Sequence, residues 1–216
     1  MKAVLVSLDG RPLKEAIGQC LRGAFAGTPA GGRALSVWLS GALARPFLFG
    51  PVRGLRSWNE TNEAAESVAR EAFGIDGPWH VVLENDPSSH CVLGTAVLQA
   101  TIDEIYRTAT ALRLDVRSTR PAWAEAIDAM PAAMAGATLL SFRDADSLTL
   151  LGMRRDEFDL ASTYMPCPGA DEIESLLRRL HLSRDLAPQA MHNASINTAA
   201  NGAPTFAWSA LAPAAA

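Results

Sequence analysis

Lysine is nearly absent from this chain. It occurs only at Lys2 and Lys14, and arginine supplies the rest of 19 basic residues against 23 acidic ones, for a formal net charge of −4. The basic residues are scattered, so the electrostatic stripe that usually marks a nucleic-acid binder is missing. Cysteine is sparse too. Cys20, Cys91 and Cys167 are far apart and form no CxxC pair. That excludes a disulfide framework and a zinc ribbon, and suits free thiols in a reducing compartment. Long apolar runs are missing as well. The opening "MKAVLVSLDGRP" has too short an apolar run for a signal peptide. No run approaches the ~20 residues that span a bilayer. A cytoplasmic chain is the expectation.

Several signatures of chemistry are also missing. The Gly-rich stretch "GTPAGGR" (27–33) ends in Arg33-Ala34, where a phosphate loop needs Gly-Lys-Ser/Thr to meet phosphate and magnesium. It reads as a connector. There is no G-x-S-x-G elbow and no H-E-x-x-H pair. His80, His90, His181 and His192 lack metal-ligand spacing. His90 and Cys91 are adjacent, so on a strand they point to opposite faces and cannot form a Cys/His pair.

What is present is enough to fold. The 216 residues are 49% hydrophobic and 19% charged, sufficient for one sizeable domain or two small lobes. Residues 3–8 read as a strand ending at the turn Asp9-Gly10, and Pro12 opens a helix. Residues 35–40 and 46–50 read as short strands, and 57–73 as a helix capped by Ser57 or Asn59 and ended by Gly74. Residues 79–86 and 90–97 read as a hairpin around Asn-Asp-Pro-Ser-Ser, 99–112 as an amphipathic helix, and the chain then extends to Pro121. Residues 122–135 are expected to be helical. The stretch 137–164 gives three antiparallel strands, with Arg143-Asp144-Ala145-Asp146 at the first turn. A helix over 170–182, a polar loop over 183–202 and a strand over 204–211 complete the series. Helices that interleave with hairpins predict a mixed α/β (α+β) fold with antiparallel pairs in its sheets, not a doubly wound parallel sheet. The domain organisation expected is a first lobe over 1–120, a second over 121–209 that contains the three-strand unit, and a tail over 210–216.

Three segments resemble the actin-like cytoplasmic proteins of type II secretion and type IV pilus assembly systems, that is, the L-type secretion components and PilM-like proteins. "LSVWLSGALARPFLFGPVRGLRSWNETNEAAESVAREAFG" is similar to their strand, strand and Trp-led helix. "ATIDEIYRTATALRLDVRSTRPAW" is similar to their helix–strand unit, and "ATLLSFRDADSLTLLGMRRDEFDLASTY" to their three-strand sheet with an Asp-containing turn. The resemblance runs over roughly 35–165 and loosely to Trp208.

The resemblance implies an actin-like, RNase-H-like core. It implies a scaffold at the cytoplasmic face of the inner membrane that contacts an assembly ATPase and bitopic membrane components. M-type members bind ATP, whereas L-type members have largely lost nucleotide. Here the first strand ends "SLDGRPL", without the Gly-Thr/Ser-Ser that wraps phosphate, and "FRDADSLTL" lacks the glycine that would let backbone approach a second phosphate. The expectation is therefore a non-enzymatic scaffold with no cofactor. It carries no transmembrane helix of the L-type kind, and is read as an excised soluble region or a form that docks non-covalently.

Two alternatives stay open. In a weak ATP-binding member, Asp9, Gly10 and Asp144 would lie near the nucleotide and magnesium. In an RNase-H-like metal-dependent nuclease, carboxylates among Asp9, Glu84, Asp86, Asp103 and Asp144 would converge. Of the five tryptophans, Trp58 near a helix start and Trp208 in the last strand are the candidate partner anchors. Exposed strand edges leave room for a homodimer.

Overall fold

The computed structural model describes residues 2–26, 33–50, 57–83, 91–134, 136–154, 157–184, 191–199 and 202–210. The Gly-rich connector, the 85–89 turn, Glu84, Asp86, His90 and the tail from 211 onward lie outside the described residues.

Three sheets form. The first is parallel, in the order β1 (Lys2–Val6), β2 (Arg33–Leu39), β6 (Leu114–Pro121). Helices α1 (Leu13–Ala24) and α3 (Gln99–Ala111) cover one of its faces. Val4, Val6, Leu35, Val37 and Leu39 meet Ile17, Leu21 and Ile105 there, all at 1% exposure or less. Near-continuous burial of β1 and β2 is what a parallel strand needs, because both of its faces are covered.

The second sheet is antiparallel, in the order β3 (Ala44–Phe49), β5 (Val92–Leu98), β4 (Trp79–Leu83). Helix α2 (Trp58–Phe73) lies on it, and Ala65 and Ala69 let the helix approach Phe47, Phe49 and Trp79. Its ends follow the sequence cues. The Ser57 hydroxyl accepts from the backbone N–H of Glu60 at 3.2 Å. Gly74, at φ 58°, takes the left-handed turn that closes the helix.

The third sheet is the largest. Its order is β11 (Pro204–Ala210), β10 (Met191–Thr198), β7 (Leu139–Arg143), β8 (Leu148–Arg154), β9 (Glu157–Tyr164). The strands β7, β8 and β9 form the antiparallel unit expected from 137–164, while β10 runs parallel to β7. Helix α5 (Ala170–Arg184) seals one face through Leu177, against Leu139, Leu148 and Leu150. On the other face Leu140, Phe142, Leu151, Ala194 and Ile196 meet helix α4 (Ala122–Asp128), with Trp123 at its centre and Leu5 of β1 beyond it. The first and third sheets thus share a core. The proposed lobe boundary near Arg120-Pro121 falls where β6 runs directly into α4.

Two sequence expectations are corrected. Residues 183–202 are not simply a polar loop, since β10 lies inside them and is an inner strand of the largest sheet. The helix expected over 122–135 stops at Asp128, ahead of Pro131, whose missing N–H and ring cannot continue it. A short 3-10 turn, Ala132–Met134, follows.

Candidate functional site

The tip of the β7–β8 hairpin projects onto the ends of β1 and β2. Asp144 and Asp146 stand at this tip, and one carboxylate oxygen of each bridges to the turns after β1 and β2. Asp144 is 6% exposed. Its Oδ1 accepts from the N–H of Asp146 at 3.2 Å, the N–H of Ser147 at 2.7 Å and the Ser147 hydroxyl at 2.7 Å. These are the local bonds for which turns select aspartate. Its Oδ2 reaches out of the hairpin and accepts from the N–H of Gly41 at 2.8 Å, just past the end of β2.

Asp146 makes the second half of the junction. Its Oδ2 accepts from the N–H of Leu8, from the N–H of Asp9 at 3.4 Å, and from the Ser40 hydroxyl at 3.3 Å. Its Oδ1 is buried and has no partner among the described residues.

The receiving turns are shaped for this. After β1, Asp9 and Gly10 both have positive φ, 46° and 73°, and the N–H of Arg11 closes the turn on the Leu8 carbonyl at 2.8 Å. Aspartate and glycine are the residues that tolerate this conformation most readily. At Gly41 the requirement is space: a Cβ there would overlap Thr149 Oγ1 and lie 2.7 Å from Ser147 Oγ. Only glycine brings the backbone N–H of residue 41 onto Asp144.

Electrostatics follow from the geometry. Burial, and next the neighbouring Asp146 carboxyl, push Asp144 up to about 7. The hydrogen bonds from Gly41 and Ser147 oppose that rise without cancelling it.

The predicted site residues separate. Asp144 lies at the centre of the junction. Asp9 contributes its backbone N–H, while its side chain is 62% exposed and pairs with Arg11 at 3.3 Å. Gly10 shapes the turn. Asp103 is distant in role, on an exposed face of α3, accepting from Gln99 at 2.8 Å. Among the described residues no three Asp, Glu, His or Cys side chains converge as metal ligands. Trp58 is 53% exposed. Trp208 is half-buried, edge-on to Phe142 with ring centroids 6.0 Å apart. Sequence reading missed Ser40 and Gly41, and gave Asp146 only a turn role. The one local signal was the "SG" pair directly after an apolar strand.

The weak ATP-binding alternative places nucleotide near Asp9, Gly10 and Asp144, and the residues can be tested for it. The N–H groups of Leu8, Asp9 and Gly41 and the Ser40 hydroxyl are a donor set that phosphate could use. Each already binds a carboxylate of the chain itself. A phosphoryl group placed there would lose those donors and meet two acidic side chains. The residues present do not fit it.

No protein-family model matches the chain, and no curated protein matches it in sequence. Solved structures do. One is the cytoplasmic domain of EpsL, an inner-membrane component of the type II secretion system of Vibrio cholerae, at TM-score 0.50 and 10% identity, covering 84% of this chain and 67% of that one. The PilM–PilN type IV pilus biogenesis complex gives 0.46 and 15%, covering 81% and 52%. A Bacteroides thetaiotaomicron protein of actin-like ATPase fold and unknown function gives 0.45 and 11%, covering 72% and 56%. The chain thus spans between about half and two thirds of the lengths of these structures. What it shares with the EpsL domain is the fold, a mixed α/β chain with parallel and antiparallel strand pairs. Among the described residues, no helix is long and apolar enough to cross a membrane.

Proposed function

We propose that this chain is a nucleotide-independent scaffold of a type IV pilus or type II secretion apparatus. It works at the cytoplasmic face of the inner membrane through contacts with an assembly ATPase and bitopic membrane components. The observation that carries the reading is the junction itself. Asp144 and Asp146 supply the negative charge that a nucleotide phosphate would bring, and they engage the donors it would need. The fold shared with the EpsL cytoplasmic domain supports the choice of machine, as does the ordered resemblance over residues 35–165.

The test is thermal unfolding with and without millimolar Mg·ATP. A ligand at 100 times its dissociation constant stabilises a native protein by about 2.7 kcal/mol, worth several degrees in a chain of this size. The midpoint is expected to stay put. A rise of several degrees would overturn nucleotide independence. Co-purification of the tagged chain with the assembly ATPase and membrane components from the native host tests the scaffold half, and loss of both contacts would overturn it.

A further inference from the structure

We propose that Asp144 and Asp146 form a proton-dependent latch. One proton shared by the two carboxyls holds the hairpin tip on the ends of β1 and β2, and loss of that proton loosens the joint between the parallel sheet and the five-stranded sheet.

The count of donors carries the argument. Of the four carboxylate oxygens, Asp144 Oδ1 has three donors, Asp146 Oδ2 has three, and Asp144 Oδ2 has one. Asp146 Oδ1 has none and is buried. A buried carboxylate oxygen without a donor is costly, and no backbone or side-chain donor among the described residues is directed at it. A proton between the two carboxyls gives that oxygen a partner and removes one of two adjacent charges, of which the Asp144 charge is buried. Carboxyl pairs at close range titrate this way, as one coupled unit.

The surrounding charges do not remove the need. From the β1–α1 turn the cluster faces Asp9 and Arg11, which pair with each other. The β2–β3 turn offers only neutral Ser40 and Gly41. Arg143 at the end of β7 and Cys167 beyond β9 complete the titratable neighbours among the described residues. Burial raises the Cys167 thiol, with Arg143 opposing and the two aspartates adding to the rise. Neither Asp144 nor Asp146 has an ion pair with a cation among the described residues.

The sign follows from linkage. An unfolded aspartate titrates at about 3.9, whereas Asp144 is pushed up to about 7 in the folded chain. The folded state holds a proton that the unfolded state has released. The contribution is fully present below the unfolded value and is lost as pH rises through the folded one.

Asp146→Asn separates the latch from ordinary packing. Its amide oxygen can accept from Leu8, Asp9 and Ser40, and its NH2 can donate to the Asp144 carboxyl, doing permanently what the shared proton does. Thermal midpoints of the full chain at pH 5.5 and 8.5, in EDTA, are the measurement. The wild type is expected to lose on the order of 5 °C across that range, and Asp146→Asn to lose little of it. A flat wild-type profile overturns the latch, as does an Asn variant that keeps the wild-type slope. Magnesium ions that abolish the alkaline loss also overturn it, by making the pair a cation seat. Should the variant fail to fold, carboxyl carbon NMR of the wild type decides. One aspartate titrating near neutrality supports the latch, and none above pH 6 overturns it.

Discussion

The indole N–H of Trp123 donates to the backbone carbonyl of Ala44 at 2.9 Å, across 79 positions of sequence. The ring is 1% exposed. This bond ties the short helix α4 to the first residue of β3, so one side chain links the core shared by the first and third sheets to the second sheet. Trp123→Phe keeps an aromatic ring but removes the donor and part of the volume. It should cost about 1–3 kcal/mol for the unsatisfied carbonyl and the lost packing. Denaturant unfolding measures this as a lower midpoint at unchanged slope. A loss below about 0.5 kcal/mol, the range of an ordinary surface substitution, would show that the bond is dispensable.

Gly41 is the tightest point of the junction. Gly41→Ala places a methyl onto Thr149 Oγ1 and close to Ser147 Oγ, the group that also donates to Asp144. Overpacking of this kind costs about 1–3 kcal/mol, and displacing the backbone N–H from Asp144 adds to it. Thr149→Ala opens the space. The double variant Gly41→Ala/Thr149→Ala should therefore recover part of what Gly41→Ala loses, relative to Thr149→Ala alone. Strict additivity of the two substitutions would refute the steric account.

Ser57 is the N-cap of α2. Ser57→Ala removes the acceptor for the Glu60 N–H and should lower stability by about 1 kcal/mol. Ser57→Asp restores an acceptor and adds a negative charge at the positive end of the helix dipole, so it should match or exceed the wild type. An alanine variant as stable as wild type would mean that solvent satisfies this helix end equally well.

Much of this architecture was legible in the chain because the relevant patterns are local. The Ser57 and Gly74 boundaries of α2 and the three strands from Leu139 to Tyr164 rest on neighbouring residues. The strand β10 was not legible. Its sequence, MHNASINT, has the polarity of a loop, yet it lies beside β7. It is kept there by a pairing that no local window contains: the Ser141 hydroxyl donates to Asn193 Oδ1 at 2.9 Å across the two strands. Similarly, the Asp144-Ala145-Asp146 turn was visible as a turn. That its carboxylates reach Gly41 and Leu8, 103 and 138 positions away, is a consequence of tertiary structure.

The two tryptophans proposed as partner anchors should behave oppositely. Trp58 is 53% exposed at the start of α2, so Trp58→Ala removes little buried surface and should change stability by no more than about 0.5 kcal/mol. Trp208 packs on Phe142 in the core between the first and third sheets, half-buried, with its indole nitrogen buried. Trp208→Ala should cost about 3 kcal/mol, which makes it a poor probe of binding. Trp58→Ala is therefore the variant with which to test partner contact: full stability with lost co-purification of machinery components would assign Trp58 to an interface. Full stability with undiminished co-purification would remove it from the anchor set, and a large loss of stability would make the ring a structural element of α2 instead.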